Sequence, residues 1–298
     1  MNEILLSKLV RGAYADPADS DLNYVLVEAM GMSWIQPGEY EFVVPPNVYF
    51  LCGVAIGAGG GSYSKNNGTA WGSSGGGGGL GWKNGIPVIP GEVLIAVVGA
   101  PGKNINLSAN KVEASDGGMS CIKRGNTIIF AGYGGKGGGY TTSSSAGQGG
   151  SFLGDGGGNG GNGVYFNYWT SGGGAAGGYT GPGGNGDTGE GARYTGTDGQ
   201  GGAGSGGRGD TTKGRGGRGG CTGLFGQGSN GILPLLLNTN GTHGSYYRGT
   251  GGFGGGGSIS CEGDNTAILA RQGAVRLIWE YGQGPATRAF PSNNVGPI

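Results

Sequence analysis

The sequence predicts a mainly β or irregular fold, in which a small β-sandwich carries a large polyglycine-II helix bundle behind a short, partly helical N-terminal segment. Strand-like apolar runs lie within residues 34–131 and again at 273–283. Between them, glycine recurs at every third residue over several stretches, which is the period of a polyproline-II helix. The chain has 81 glycines among 298 residues, against a usual share of about 7%. An ordered structure this rich in glycine needs dense hydrogen bonding or close packing to offset its entropy cost.

Residues 1–33 differ in composition from the rest and are predicted to be an attachment segment. Ile4, Leu5 and Leu9 fall at helical spacing. A second short helix is predicted over residues 21–31, with Asp21 as its N-cap, although the run YVLV within it also suits a strand.

Residues 34–131 are predicted to form the sandwich, beginning with a strand that alternates in polarity. Tyr40, Phe42 and Val44 fall on one face of this strand, and Glu39 and Glu41 on the other. This alternation is typical of a strand with one buried face.

Further strands follow from apolar runs and turn signals. The run NVYFLCGVAIG is nearly all apolar, as expected of a strand buried on both faces, and it places Cys52 as a buried free thiol. Residues 92–98 form another strand, and residues 119–133 a hairpin that turns at 124–126. The strand at 273–283 has no local partner, so we expect it to pair with the early strands and complete the sandwich.

Residues 132–272 are predicted to be the polyglycine-II bundle, followed by a C-terminal tail at 284–298. The stretch GRGGRGGCTGLFG, residues 214–226, shows the pattern, with glycine at every third position. Collagen fits poorly because the phase slips between stretches and the chain has only 12 prolines. In a bundle of short helices, backbone N–H groups could instead bond to carbonyl groups of neighbouring helices.

The large side chains of the insertion concentrate between the glycine stretches, where chain reversals are expected. Aromatic residues at loop tips commonly stack on sugars or anchor in protein pockets, whereas here they could equally cap the bundle. The candidate receptor-binding residues are Tyr165, Phe166, Tyr168, Trp169, Tyr140, Tyr246, Tyr247 and Trp71. The apolar run ILPLLL is expected to be buried or to lie in an oligomer contact.

Composition argues against several classes of function. Eighteen basic and eighteen acidic residues give zero net charge, which does not favour nucleic-acid binding. We interpret the RGG-like arginines as projecting outward or toward a neighbouring loop. Four distant cysteines and one histidine make a zinc site improbable, and we expect no metal and no cofactor. No motif for catalysis, signal peptide or membrane insertion is recognised.

Five segments in order carry a resemblance: EYEFVVPPNVYFLCGVAIGAGGG, GWKNGIPVIPGEVLIAVVG, GLFGQGSNG, GAVRLIW and RAFPSNN. Over roughly residues 34–293, they resemble the glycine-rich domains of tailed-phage tail-fibre proteins, similar to the tip adhesins of T-even-type phages. The resemblance implies a receptor-binding adhesin, in which a polyglycine-II bundle presents loops to the host surface. It also implies that an N-terminal part docks to the fibre, a role that we assign to Ile4, Leu5 and Leu9.

The expected partners are therefore the tail-fibre shaft protein and a host receptor, either an outer-membrane protein or a glycan. The expected location is the tail fibre of the virion, after synthesis in the host cytoplasm. The oligomeric state is left open, with a homotrimer as one alternative. The rival function is a structural virion or fibre-assembly protein whose bundle is a rigid spacer. An ice-binding protein fits less well, because the threonines form no regular repeat.

Overall fold

A computed structural model gives the fold of the chain. It describes residues 25–28, 30–65, 71–106, 114–139, 146–166, 171–188, 196–209, 216–234, 240–243, 252–258, 269–282 and 287–292.

The larger of two main sheets, sheet A, has six antiparallel strands, which include the first and the last described strands of the chain. Its order is β1 (Val25–Glu28), β2 (Gly31–Trp34), β15 (Ala274–Trp279), β4 (Phe50–Ile56), β7 (Leu80–Pro87) and β13 (Gly156–Gly158). Val275 of β15 lies opposite both Trp34 and Ala55. The prediction that the last strand returns to pair with early strands is therefore confirmed.

The second main sheet, sheet B, has five antiparallel strands. Its order is β12 (Phe152–Leu153), β11 (Thr127–Gly132), β10 (Ser120–Arg124), β8 (Val93–Val98) and β3 (Gly38–Val43). The hairpin β10–β11 closes where Arg124 lies opposite Thr127, at the predicted turn. Strands β3 and β8 also lie where the sequence predicts them.

Two apolar clusters hold the sheets. Between the sheets, Trp34 meets Phe42 edge to face at 5.8 Å, within a buried cluster that includes Leu94, Phe130 and Leu277. The other face of sheet A is covered as well, by a cluster of Tyr179, Leu224, Phe253 and Phe290. Strand β4 is consequently buried on both faces, as predicted, and Cys52 is a buried free thiol.

The predicted helix over residues 21–31 is wrong. Val25–Glu28 is a strand, and Glu28 lies opposite Gly31 in the hairpin that β1 forms with β2. Strand β2 in turn pairs with β15, so the ladder of sheet A decides the conformation and overrides the local helical signals. The predicted first helix, with Ile4, Leu5 and Leu9, lies outside the described residues.

The glycine-rich part of the chain is not seen as a helical bundle, because the described residues contain strands and extended segments and no helix. The sequence suggested helices from the period of the glycines, and in the structure these stretches are extended chain bonded to its neighbours. We call the following stretches the extended segments: 57–62, 74–79, 99–104, 114–119, 133–139, 146–151, 158–164, 171–178, 182–188, 203–209, 216–223, 252–258 and 269–273.

Hydrogen bonds between the extended segments repeat every third residue. In the segment 74–79, the N–H groups at 74 and 77 donate to the segment 158–164. Those at 75 and 78 donate to 252–258, and those at 76 and 79 to 133–139. The segment 171–178 repeats the pattern with three other neighbours. Each such segment is therefore bonded along three sides, and the backbone polar groups of this part are satisfied by other segments.

Glycine is required in these segments because the backbones approach too closely for a side chain. A Cβ added at Gly77 would collide with the carbonyl group of Ala175, and one at Gly206 with the carbonyl group of Asn185. Neither residue has a left-handed φ, so a side chain is excluded by the lack of space rather than by backbone strain. Segments from residues 57–119 and from residues 133–273 share this packing, so both parts of the chain contribute to one array.

We predict that Gly77→Ala destabilises the protein by roughly 1–3 kcal/mol or more, because the methyl group has no room between two backbones. Chemical denaturation of the purified variant measures the change. Gly125→Asn is the control, since Gly125 has φ 56° with open space around it, and asparagine tolerates that conformation. Equal free energies of unfolding for the two variants would contradict the steric explanation.

Candidate functional site

A small four-stranded sheet joins two of the predicted receptor-binding segments. Its order is β14 (Tyr165–Phe166), β6 (Trp71–Ser73), β5 (Tyr63–Lys65) and β9 (Ile105–Asn106). Tyr165 and Tyr63 both lie opposite Ser73, from its two sides. The extended segments 57–62 and 74–79 connect this sheet to sheet A, so it lies at the end of the array remote from the sandwich.

Hydrogen bonds of buried serine hydroxyls connect the extended segments that end beside the small sheet. The Ser62 hydroxyl donates to the Ser258 carbonyl group at 2.8 Å, and the Ser258 hydroxyl donates to the Gly216 carbonyl group at 2.5 Å. Ser74 reaches Ser171 in the same way, with its hydroxyl 2.6 Å from the Ser171 carbonyl oxygen. All three serines and Ser171 are buried. These bonds fix the ends of five extended segments to one another.

A buried ion pair holds a further group of segment ends together. Arg208 Nε lies 3.2 Å from Asp187 Oδ2, with side-chain exposures of 7% and 0%. Arg208 Nη1 also donates to the Pro234 carbonyl group at 2.9 Å. The Asp187 carbonyl group accepts N–H groups from Gly172 and Gly209, at 2.8 and 3.0 Å.

Eight segments outside the described residues are flanked by residues at this end of the array. They are 66–70, 107–113, 140–145, 167–170, 189–195, 210–215, 235–239 and 259–268. The bonds described above involve residues near the edges of seven of these segments, and Gly138, near the edge of 140–145, donates to the Gly61 carbonyl group. We use the name distal platform for the small sheet together with the described residues that flank these eight segments.

Three of the eight predicted receptor-binding aromatic residues lie in the small sheet of the distal platform. Tyr165 is half-buried in β14, and burial raises the pKa of its hydroxyl. Phe166 and Trp71 lie on adjacent strands of the small sheet. Tyr140, Tyr168 and Trp169 lie outside the described residues, in segments whose flanks belong to the platform. Their role in binding stays a prediction.

Tyr246 and Tyr247 also lie outside the described residues, and their flanks differ. His243 and Gly252, on either side of that segment, both approach Cys221. Cys221 is three residues further along its extended segment than Arg218, which bonds to Asn240. The structure therefore does not place the flanks of this segment among those of the platform.

His243 accepts a hydrogen bond that requires its neutral form. The Cys221 backbone N–H donates to His243 Nδ1 at 2.9 Å. Burial lowers the pKa of His243, and the positive charges of Arg218 and Arg271 lower it further. Protonation of Nδ1 would remove the acceptor of this bond.

The sequence did not single out Asp187 or the buried serines as parts of this end. They belong to no motif in the sequence, and only the packing of distant segments brings them together. The apolar run ILPLLL was expected to be buried or in an oligomer contact, and its first residue, Ile232, is 66% exposed.

Within the described ranges, no three His, Cys, Asp or Glu side chains gather at a point that could hold a metal ion. The part of the chain that the structure describes also has no helix suited to crossing a bilayer.

The comparison with protein families identifies the chain at the level of its domain. A family model described as "Glycine-rich domain" matches residues 35–277. The chain belongs to this glycine-rich domain family. No curated protein matches the chain.

The match spans most of the glycine-rich domain described above, from the residue after β2 to the fourth residue of β15. Three motifs that carry the tail-fibre resemblance meet on the outer face of sheet A. The Arg276 guanidinium lies 4.5 Å from the centre of the Phe225 ring, the Gln227 N–H donates to the Pro291 carbonyl group at 2.8 Å, and Tyr179 stacks on Phe290. The order of these motifs therefore reflects a contact in the fold of the glycine-rich domain.

We predict that Asp187→Asn loosens the distal platform, because breaking one partner of a buried ion pair costs about 3–5 kcal/mol. Trypsin should then cut faster after Arg193 and Lys213, which lie in the segments next to the pair. Asp116→Asn is the control, since the Lys136–Asp116 pair is exposed and contributes little. Unchanged proteolysis in Asp187→Asn would show that the pair does not hold these segments.

We predict that the stability contributed by the His243 bond is present above a pH of about 6.5 and is lost as the pH falls through the lowered pKa of the folded protein. Asp116, Asp155 and Glu280 have lowered pKa values and lose their contributions at more acidic pH. Thermal melts of wild type and His243→Asn at pH 7 and pH 5 test this, since asparagine can accept the same N–H without titrating. The variant should lose less stability, and an equal loss would contradict the prediction.

Proposed function

We propose that this glycine-rich domain is the tip adhesin of a bacteriophage tail fibre, and that it binds a host surface receptor through the segments that the distal platform flanks. The observation that carries the proposal is that the residues flanking eight segments outside the described residues meet at one end of a hydrogen-bonded array. Four of the predicted binding residues (Tyr165, Phe166, Tyr168 and Trp169) lie in or directly after one strand of that platform. The tail-fibre resemblance agrees with this arrangement.

The proposed architecture includes a polyglycine-II bundle. The support is the hydrogen-bond period of three residues in the extended segments, which equals the number of residues per turn of that helix. A polyglycine-II helix has no internal hydrogen bonds, so it would appear as extended chain bonded to its neighbours. In this proposal the bundle is a rigid support, and the receptor is an outer-membrane protein or a glycan.

The proposed attachment to the fibre shaft is assigned to the segment before β1, with Ile4, Leu5 and Leu9. Residues 25–34 belong to sheet A as β1 and β2, which leaves residues 1–24 for docking. The tail fibre of a virion is accordingly the proposed location, and a homotrimer stays one alternative.

The rival proposal is a structural virion protein whose array is a spacer between other subunits. Ile232, which is 66% exposed beside the platform, is the observation that favours it, because large exposed apolar side chains are common in subunit contacts. The two proposals differ in whether the free protein binds cells.

We predict that Tyr168→Ala with Trp169→Ala abolishes cell binding and leaves the melting temperature unchanged. Tyr165 is left intact, because its side chain is half-buried. Fluorescently labelled protein would be mixed with a panel of Gram-negative strains and measured by flow cytometry. Tyr281→Ala is the control, since Tyr281 is 59% exposed and follows β15 at the opposite end of the sandwich.

Binding of the double variant at the wild-type level would contradict the assignment of these aromatic residues. If the wild-type protein binds no strain of a panel that includes the host, the spacer function is favoured over the adhesin.

A further inference from the structure

Two arginines of the array differ from every other described arginine in what surrounds them. Arg208 pairs with Asp187, Arg124 with Glu92, Arg276 lies over Phe225, and the Arg288 backbone bonds to Glu280. Among the described residues, no ion pair or side-chain hydrogen bond is recorded for the guanidinium groups of Arg218 and Arg271. The Nε atoms of both are buried without a hydrogen-bond partner there, as are those of Arg208, Arg276 and Arg288, but these three arginines each donate through Nη1 to a carbonyl group.

Arg218 belongs to the GRGGRGG stretch, whose arginines the sequence predicts to project outward or toward a neighbouring loop. In the structure Arg218 is partly exposed. Its backbone N–H donates to Asn240 Oδ1 at 2.9 Å, and its carbonyl group accepts the Gly241 N–H at 2.7 Å. The residue is therefore fixed in place between two segments.

Arg218 and Arg271 flank the same extended segment, 252–258. The Gly219 N–H donates to the Gly256 carbonyl group at 3.2 Å, and the Arg271 N–H donates to the Gly255 carbonyl group at 2.8 Å. The two arginines thus enter from neighbouring segments at adjacent positions along 252–258.

The electrostatics of this region are those of an uncompensated positive cluster. Burial lowers the pKa of the Arg218 guanidinium, and the charge of Arg271 lowers it further. Both arginines also act on His243 and on Cys221, which is fully buried. No carboxylate among the described residues contributes to the shifts of Arg218, His243 or Cys221.

Two positively charged guanidinium groups on segments that flank the same neighbour, with their Nε atoms out of water, are unfavourable without an anion. A guanidinium group presents planar, paired donors that match the oxygens of a carboxylate or phosphate. We propose that Arg218 and Arg271 form an anion-binding site on the side of the extended segments, which takes a carboxylate or phosphate group.

This ligand chemistry has two sources. One is a phosphate or carboxylate from outside the chain, such as a group on a surface glycan or lipid. The other is a carboxylate of this chain, from Glu262 or Asp264. In the sequence, both residues lie between the extended segments 252–258 and 269–273. The site stands independently of the proposed receptor function, because purified protein is enough to test it.

The first experiment measures the melting temperature of the full chain against inorganic phosphate at pH 7.5, with sodium chloride adjusted to keep the ionic strength constant. Wild type should gain about 2 °C when phosphate is tenfold above its dissociation constant. Arg218→Gln and Arg271→Gln should each lose this gain. Arg124→Gln is the matched control and should keep it, since Arg124 is a surface arginine paired with Glu92.

The second experiment distinguishes the sources with Glu262→Gln combined with Asp264→Asn. If the chain's own carboxylates fill the site, phosphate leaves wild type unchanged, and these substitutions lower its melting temperature. They then have no further effect in a chain that carries both arginine substitutions, because the interaction is already lost. If the anion comes from outside, the acidic substitutions leave the phosphate response as it is in wild type.

The proposal is overturned if phosphate does not stabilise wild type and the acidic substitutions act additively with the arginine substitutions. The phosphate response is the change in melting temperature that phosphate causes in each variant. The second test compares the effect of the acidic substitutions with and without the arginine substitutions. A general loss of stability in an arginine variant therefore produces neither expected result.

Discussion

The close approach of glycine backbones is the constraint on which the rest of the structure depends. At Gly77 and Gly206, the neighbouring carbonyl group occupies the space where a side chain would begin. This proximity lets N–H groups bond to three different neighbours in turn, so that hydrogen bonds take over the role that side-chain burial has in an ordinary core. The high entropy cost of ordering glycine is offset because almost every ordered residue contributes a backbone bond.

A core of this kind can hold few side chains, which explains where the polar ones occur. The buried serines and the Asp187–Arg208 pair lie at the ends of the extended segments. There they connect segments that the backbone ladder alone does not fix. The sandwich has the complementary role, because its two sheets close the other end with a conventional apolar core.

The contrast between the apolar core of the sandwich and the hydrogen-bonded array links the fold to the proposed adhesin. The array has a conventional apolar core at one end, and at the other end backbone bonds fix the residues that flank the segments to which the proposal assigns receptor binding. Arg218 and Arg271 are the exception within the array, as charged side chains set into its side without a partner among the described residues. Their environment calls for an anion, whether it comes from this chain or from a ligand.

The sequence by itself determined the strands of the sandwich core, because the alternation at Tyr40 and Phe42 and the apolar run around Cys52 are local patterns that burial imposes. It also determined the period of three, since glycine must recur wherever a backbone passes close by. Only the tertiary structure decided that residues 25–28 form a strand, because pairing of β2 with β15 overrides local propensity. It alone brought Asp187 to Arg208 and Arg218 beside Arg271, because the partners of an extended segment lie far away in the chain and no local pattern encodes which segments become neighbours.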